Sequence, residues 1–133
     1  MKNEIQNFIE KLSKQKVNKL TVFNQYSEDD NFPQYLVTKI NLLFYLTHMK
    51  EKNPNTLLIG EAPGKDGCAL TGIPFTSLQV ISQQNKFGLF GFQEMPNTKL
   101  QKEKTATMVW DILNKLNYCP LLWNAYPDRK SVV

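Results

Sequence analysis

Histidine is nearly absent from these 133 residues, His48 being the one copy, and cysteine is scarce, with Cys68 and Cys119 far apart and in no CxxC arrangement. So few soft ligands leave little support for a metal site, a redox pair or a disulfide framework, and both thiols are expected to be free. No apolar run approaches the length needed to cross a bilayer. The start, Met1 to Lys16, is amphipathic and charged where a signal peptide is apolar. A soluble, cytoplasmic protein with no membrane partner is the expectation. Internal repeats and low-complexity tracts are also missing. With 41% hydrophobic residues, the chain is suited to one domain over residues 1–133. The formal charge of +4 permits contact with a polyanion, since lysine and arginine neutralise phosphates. The positives are dispersed, however, with loose clusters at Lys11 to Lys19 and Lys99 to Lys104 that read as solvated helix faces.

Apolar spacing predicts the elements. Ile5, Phe8, Ile9 and Leu12 fit a helix within residues 1–15. Leu36, Val37, Ile40, Leu43, Phe44 and Leu46 fit a second over residues 34–50. The polar stretch YSEDDNFP between them suits a loop. Thr56 to Ile59 reads as a short buried strand closed by Gly60. The loop that follows, residues 60–75, gathers Gly60, Gly64, Gly67 and Gly72 out of six glycines in all, together with Pro63 and Pro74. That much punctuation marks a shaped binding loop. Thr76 or Ser77 is placed to cap a helix running to about Ser82. Residues 85–100 are irregular, and their Phe87, Phe90 and Phe92 read as pinning a loop to the sheet, or else as stacking on single-stranded DNA. From Thr105, the stripe of Met108, Val109, Ile112, Leu113 and Leu116 predicts an amphipathic helix whose apolar side faces the core. Pro120 to Asn124 is a second buried strand that turns away through Ala125, Tyr126 and Pro127. Trp110, Trp123, Tyr118 and Cys119 read as packing residues, and His48 as a surface or interhelix residue.

Strand, helix, strand implies a parallel sheet. Ligands of such sheets bind beyond the carboxyl ends of the strands, so residues 60–75 and 124–127 are expected to face one site. A phosphate loop is the first chemistry to test there, and GEAPGKD fails it: the glycines are too close, and Asp66 follows Lys65 where a magnesium-binding hydroxyl belongs. A nucleotide or small-metabolite binder using the glycine-rich loop remains a weaker reading.

Taken together and in order, LLIGEAPG, TGIPFTS and PLLWNAYP resemble the uracil-DNA glycosylase superfamily, especially its smaller bacterial branches, over residues 55–127. The resemblance implies an α/β fold: a three-layer α/β/α sandwich around a short parallel sheet, here incomplete. The N-terminal helices occupy residues 1–54, the motif-bearing part 55–127, and a tail that departs from the family pattern 128–133. It implies a substrate, uracil-containing DNA, and a reaction without a cofactor, hydrolysis of the N-glycosidic bond of deoxyuridine. The family's iron–sulfur branch uses four cysteines where this chain has two, so no metal cluster is expected.

Residue by residue, the resemblance makes Gly60, Ala62 and Pro63 the pocket wall, Phe75 the stacking face for an extruded base, and Asn124 the reader of its edge. These types suit the task, because a glycosylase must hold a flipped base by a ring face and by its pairing edge. An amide carries a donor and an acceptor, matching O4 and N3–H of uracil, whereas cytosine presents the opposite pattern. Bond cleavage builds positive charge on the sugar and negative charge on the base, so a carboxylate is needed. Glu61 is the first candidate and Asp66 the second. Branches that use Asp carry it one place after Glu61, where this chain has Ala62. Gly64 and Gly72, with the Thr76 and Ser77 hydroxyls, are candidates to hold DNA phosphates. The family's later segment, which supplies a histidine, has no counterpart here; His48 lies upstream of the first motif. A binding module without catalysis, or a fragment of the enzyme, is therefore the alternative. An incomplete sheet is expected to expose an edge and an apolar helix face and so to favour self-association.

Overall fold

A computed structural model describes residues 2–28, 35–65, 67–83, 103–116, 118–128 and 130–131. Asp66, Phe87, Phe90 and Phe92 lie outside the described residues. The chain is a mixture of helices with a short parallel sheet, as in a small α/β domain.

Helix α1, Glu4–Ser13, starts at Asn3, whose side chain accepts from the Gln6 backbone while the Gln6 side chain accepts from the Asn3 backbone. This reciprocal capping satisfies two of the orphan donors of the first turn. Ile9 and Leu12 turn inward. Helix α2, Tyr35–Lys52, buries Thr38, Asn41, Leu42, Tyr45 and Met49 at helical spacing. It ends through Asn53 at φ 49° and Pro54, a left-handed residue followed by one that cannot continue the helix. An ion pair from Lys39 to Glu10, 2.9 Å, joins α2 to α1, and this hydrogen bond holds the Glu10 carboxyl below its ordinary range.

Strand β2, Leu57–Gly60, pairs in parallel with β3, Leu121–Asn124, in the register Leu57 with Leu121 through Gly60 with Asn124. Leu58 and Leu122 share one face, on which Leu122 is wholly buried. Leu57 and Ile59 point to the other face and are 52% and 56% exposed. The expectation that residues 56–59 form a buried strand is thus corrected: β2 is covered on one side only. Trp123, on the same face as Ile59, is partly covered by Phe8 of α1, ring centroids 5.7 Å apart. On the edge of β3 away from β2, the Tyr45 hydroxyl accepts from the Leu122 N–H at 2.7 Å and donates to the Leu122 carbonyl at 3.2 Å. One side chain of α2 therefore does for β3 what a further strand would do.

Short helices α3, Cys68–Thr71, and α4, Leu78–Gln83, follow the glycine-rich loop. Ser77 caps α4 by accepting from the Val80 N–H, the role the sequence suggests for it. Helix α5, Lys104–Leu113, starts one step earlier than Thr105 suggests and is capped by Glu103; its buried side is Ala106, Trp110 and Leu113. Of the expected stripe, Leu113 is buried and Val109 packs against the core, whereas Met108 and Ile112 are 58% and 61% exposed and Leu116 is exposed with them, so that part of the apolar face is corrected to an outward one. Residues 130–131, placed by the sequence in a tail, form β4, Lys130–Ser131, antiparallel to β1, Val22–Phe23. The Gln25 amide donates to the Pro127 carbonyl at 2.7 Å and secures the same closure. Among the described residues no helix is long and apolar enough to cross a membrane.

Tyr45→Phe removes the one group that satisfies both backbone atoms of Leu122, so it is expected to cost about 1–3 kcal/mol, the penalty for burying unpaired polar groups. A urea transition with a lowered midpoint and an unchanged slope is the expected result; an unchanged midpoint contradicts the edge-capping role.

Candidate active site

The parallel register places Gly60 beside Asn124 at the carboxyl ends of β2 and β3. The pairing runs on into the loops, with Ala125 N–H donating to the Gly60 carbonyl at 2.8 Å and Tyr126 N–H to the Glu61 carbonyl at 2.9 Å. Gly60 has a steric reason to be glycine. A Cβ there would lie 2.8 Å from Asn124 Oδ1 and 2.8 Å from Phe75 Cζ, closer than side chains approach. The ring of Phe75 and the amide of Asn124 meet over that missing methyl.

Phe75 is held in an uncommon conformation, φ 58°, a left-handed backbone for a bulky residue. Such strain costs on the order of 1–3 kcal/mol and persists where surrounding bonds enforce it. Here the Trp110 indole N–H donates to the Phe75 carbonyl at 2.8 Å. On the other flank the Thr71 and Thr76 hydroxyls lie 2.7 Å apart and both reach the Ile73 carbonyl, closing the turn from Thr71 to Thr76.

A cavity of about 200 Å³ opens between these loops. Gly60, Glu61, Ala62 and Gly64 line one side, and Phe75 and Thr76 another. Glu103 and Thr105 close it from the start of α5, with Cys68 and Asn124 also in its wall. Asn124 is 4% exposed and Glu61 is exposed. The Asn124 Nδ2 donates to Cys68 Sγ at 3.8 Å. Burial pushes the Cys68 thiol up to about 12, so it carries its proton at neutral pH. A larger hollow of about 510 Å³ lies between α1, α2 and the sheet, lined by Ile5, Phe8, Leu46, Met49, Leu121 and Trp123. Its wall is apolar, with Glu4 and Lys50 contributing charge. The smaller cavity, where several polar groups converge at the strand ends, is the better candidate for chemistry despite its size.

Of the residues singled out in the sequence, Gly60, Glu61, Ala62, Gly64, Phe75, Thr76 and Asn124 are brought to this one cavity. Pro63, expected in the pocket wall, is buried and does not line the cavity. The structure gives Gly72 and Ser77 other work than the expected phosphate contacts. Gly72, at φ 82°, ends α3 with its N–H on the Cys68 carbonyl, and a Cβ would fall 2.3 Å from the Thr38 carbonyl of α2. The Ser77 hydroxyl is fully buried as the α4 cap, and the Thr76 hydroxyl is taken up within its own turn.

Sequence reasoning did not place Glu103 or Cys68 at the site, and it read Trp110 as a packing residue, which it is, without foreseeing its hydrogen bond to Phe75. Glu103 is a second carboxylate at the cavity, but its oxygens accept from the Thr105 and Ala106 N–H groups at 3.2 and 2.7 Å as the α5 cap. A residue preceding an apolar run is the signal that could have found it. Among the described residues no three His, Cys, Asp or Glu side chains come together as a metal site.

Gly60→Ala is expected to displace both the Phe75 ring and the Asn124 amide at a cost of about 1–3 kcal/mol, the usual penalty for overpacking. Shifted side-chain resonances of Phe75 and Asn124 in the folded variant are the expected result; unchanged resonances contradict the contact.

Comparison of the chain with known protein families, with curated proteins and with solved structures finds no match in any of the three.

Proposed function

We propose that this chain is a uracil-DNA glycosylase with a glycosylase-like α/β sandwich fold, hydrolysing the N-glycosidic bond of deoxyuridine in DNA for base-excision repair. The observation that carries the reading is the meeting of Glu61, Phe75 and Asn124, from three separate sequence motifs, at one cavity beyond the ends of two parallel strands. That cavity, about 200 Å³, falls below the ~300–1,000 Å³ of sites for larger ligands, which suits a single extruded ring.

In this reading the base enters beside Phe75 and is held by the Asn124 amide. Water attacks C1′ of the sugar, the bond from C1′ to the base nitrogen breaks, and its electron pair leaves with the base. A carboxylate takes the proton that the water gives up, and the base anion gains a proton in turn, returned from that carboxyl or from solvent water, to leave as uracil. Glu61 is the carboxylate assigned to this step, since Glu103 is occupied with two helix N–H groups. Of the side chains lining the cavity, Asn124 and Thr105 carry donors able to meet the developing negative charge on the base. The net charge of +4 favours a polyanionic substrate.

Alkali-induced strand cleavage of a labelled uracil-containing oligonucleotide tests the proposal, with Asn124→Ala and Glu61→Gln as controls. Expected is cleavage by the wild-type chain that falls by about a hundredfold or more in Asn124→Ala, the scale of losing a preorganised donor at the reacting group. Binding without cleavage by the folded wild-type chain favours a non-catalytic base-binding module. Neither binding nor cleavage overturns both.

A further inference from the structure

Asn124 does not stand alone behind the cavity. Its Nδ2 donates to Cys68 Sγ at 3.8 Å, Cys68 Sγ lies 4.0 Å from the Tyr26 hydroxyl, and that hydroxyl donates to the Gly72 carbonyl at 2.7 Å. All three side chains are almost fully buried: Asn124 is 4% exposed, Cys68 3% and Tyr26 1%. The direction of the whole chain follows from counting protons. A peptide carbonyl only accepts, so Tyr26 gives its single proton to Gly72. Toward Cys68 the Tyr26 oxygen, which the Gln25 side chain also reaches, can then only accept, so in the 4.0 Å contact the thiol is the donor. Toward Asn124 the sulfur can then only accept, and the group that faces it has to be the Nδ2 donor. Burial keeps both the phenol and the thiol protonated, which the count requires.

We infer that Gly72, Tyr26 and Cys68 form a one-way hydrogen-bond relay that fixes which way the Asn124 amide faces, and so sets which base edge the cavity accepts. With Nδ2 held at Cys68, Asn124 Oδ1 lies against Gly60 in the cavity wall. A flipped amide would exchange donor and acceptor and so fit the pairing edge of cytosine in place of that of uracil. Cys68 and Tyr26 are thus positioning residues for specificity, a role that rests on the uracil reading of the site. Gly72 has a double part: its left-handed turn brings the terminal carbonyl to Tyr26, and its missing Cβ lets that turn sit on α2.

The test combines two readouts on wild type, Cys68→Ser, Cys68→Ala and Tyr26→Phe. Serine keeps one donor and one acceptor, alanine removes both, and Tyr26→Phe leaves the thiol in place but frees its proton to turn toward Asn124. In ¹⁵N-labelled protein, the Asn124 side-chain amide is expected to give one resonance pair in wild type and Cys68→Ser, and two pairs or exchange broadening in Cys68→Ala and Tyr26→Phe. Preference for deoxyuridine over deoxycytidine oligonucleotides is expected to survive in Cys68→Ser and to fall by about tenfold in the other two, the upper scale for one neutral hydrogen bond. Tyr26→Phe guards against Cys68→Ala simply failing to fold, since it leaves the thiol that packs against Asn124 intact. A single, unmoved Asn124 resonance pair in all four proteins overturns the relay. A wild-type chain with no preference for deoxyuridine overturns the uracil reading, and the resonances still decide the relay.

Discussion

Four residue pairs between β2 and β3, from Leu57 with Leu121 to Gly60 with Asn124, join two loops that are far apart in the chain. Everything at the cavity depends on that register. A slip of one residue would turn Asn124 to the opposite face, where Trp123 meets Phe8, and would bring a bulky neighbour to the place where Gly60 makes room for Phe75. The register is fixed from outside the sheet as well. Tyr45 clasps the N–H and carbonyl of Leu122 on the edge of β3 away from β2, and the backbone bonds of Ala125 and Tyr126 to Gly60 and Glu61 carry the pairing past the strand ends.

Around this pair the glycine-rich loop is held more tightly than its composition suggests. Phe75 sits in a left-handed conformation against the indole of Trp110, and the hydroxyls of Thr71 and Thr76 close the turn behind it. Gly72 packs its backbone onto Thr38 of α2, while Thr38 donates to the Gln25 carbonyl. Local strain, close backbone approach and saturated hydroxyls together describe a loop whose geometry is set before any ligand arrives. In the proposed reading of the site, such preorganisation is what turns hydrogen bonds into discrimination.

Much of this was legible in the sequence, for physical reasons. Apolar runs ending at Gly60 and Asn124 announce strands whose ends share a site, and Ser77 before an apolar stretch announces a cap. The face of α5 was only partly legible: apolar spacing names Trp110 and Leu113, which are buried, and equally Met108 and Ile112, which are not; periodicity gives spacing, and packing alone decides which side is buried. Gly72 shows a similar ambiguity. A glycine that lets a backbone come close serves a phosphate or another helix equally well, and here it serves α2. Tyr26 was hidden in a stretch whose polarity reads as a loop, although its ring is buried and its hydroxyl bonds to a residue far along the chain. Cys68 and Trp110 contribute through one hydrogen-bonding atom each, to partners that no local pattern names.

The central claim is that the cavity at the ends of β2 and β3 holds an extruded uracil. A substrate analogue tests it directly: an oligonucleotide bearing a 2′-fluorinated deoxyuridine, whose electron-withdrawing fluorine disfavours positive charge on the sugar and so slows cleavage, titrated into labelled protein. Resonance shifts concentrated at Gly60, Glu61, Phe75 and Asn124, and absent with the thymine counterpart, are the predicted result. Equal shifts with both oligonucleotides, confined to lysine-bearing surfaces such as Lys11 to Lys19, would contradict the claim and leave only a basic surface that binds DNA without reading it.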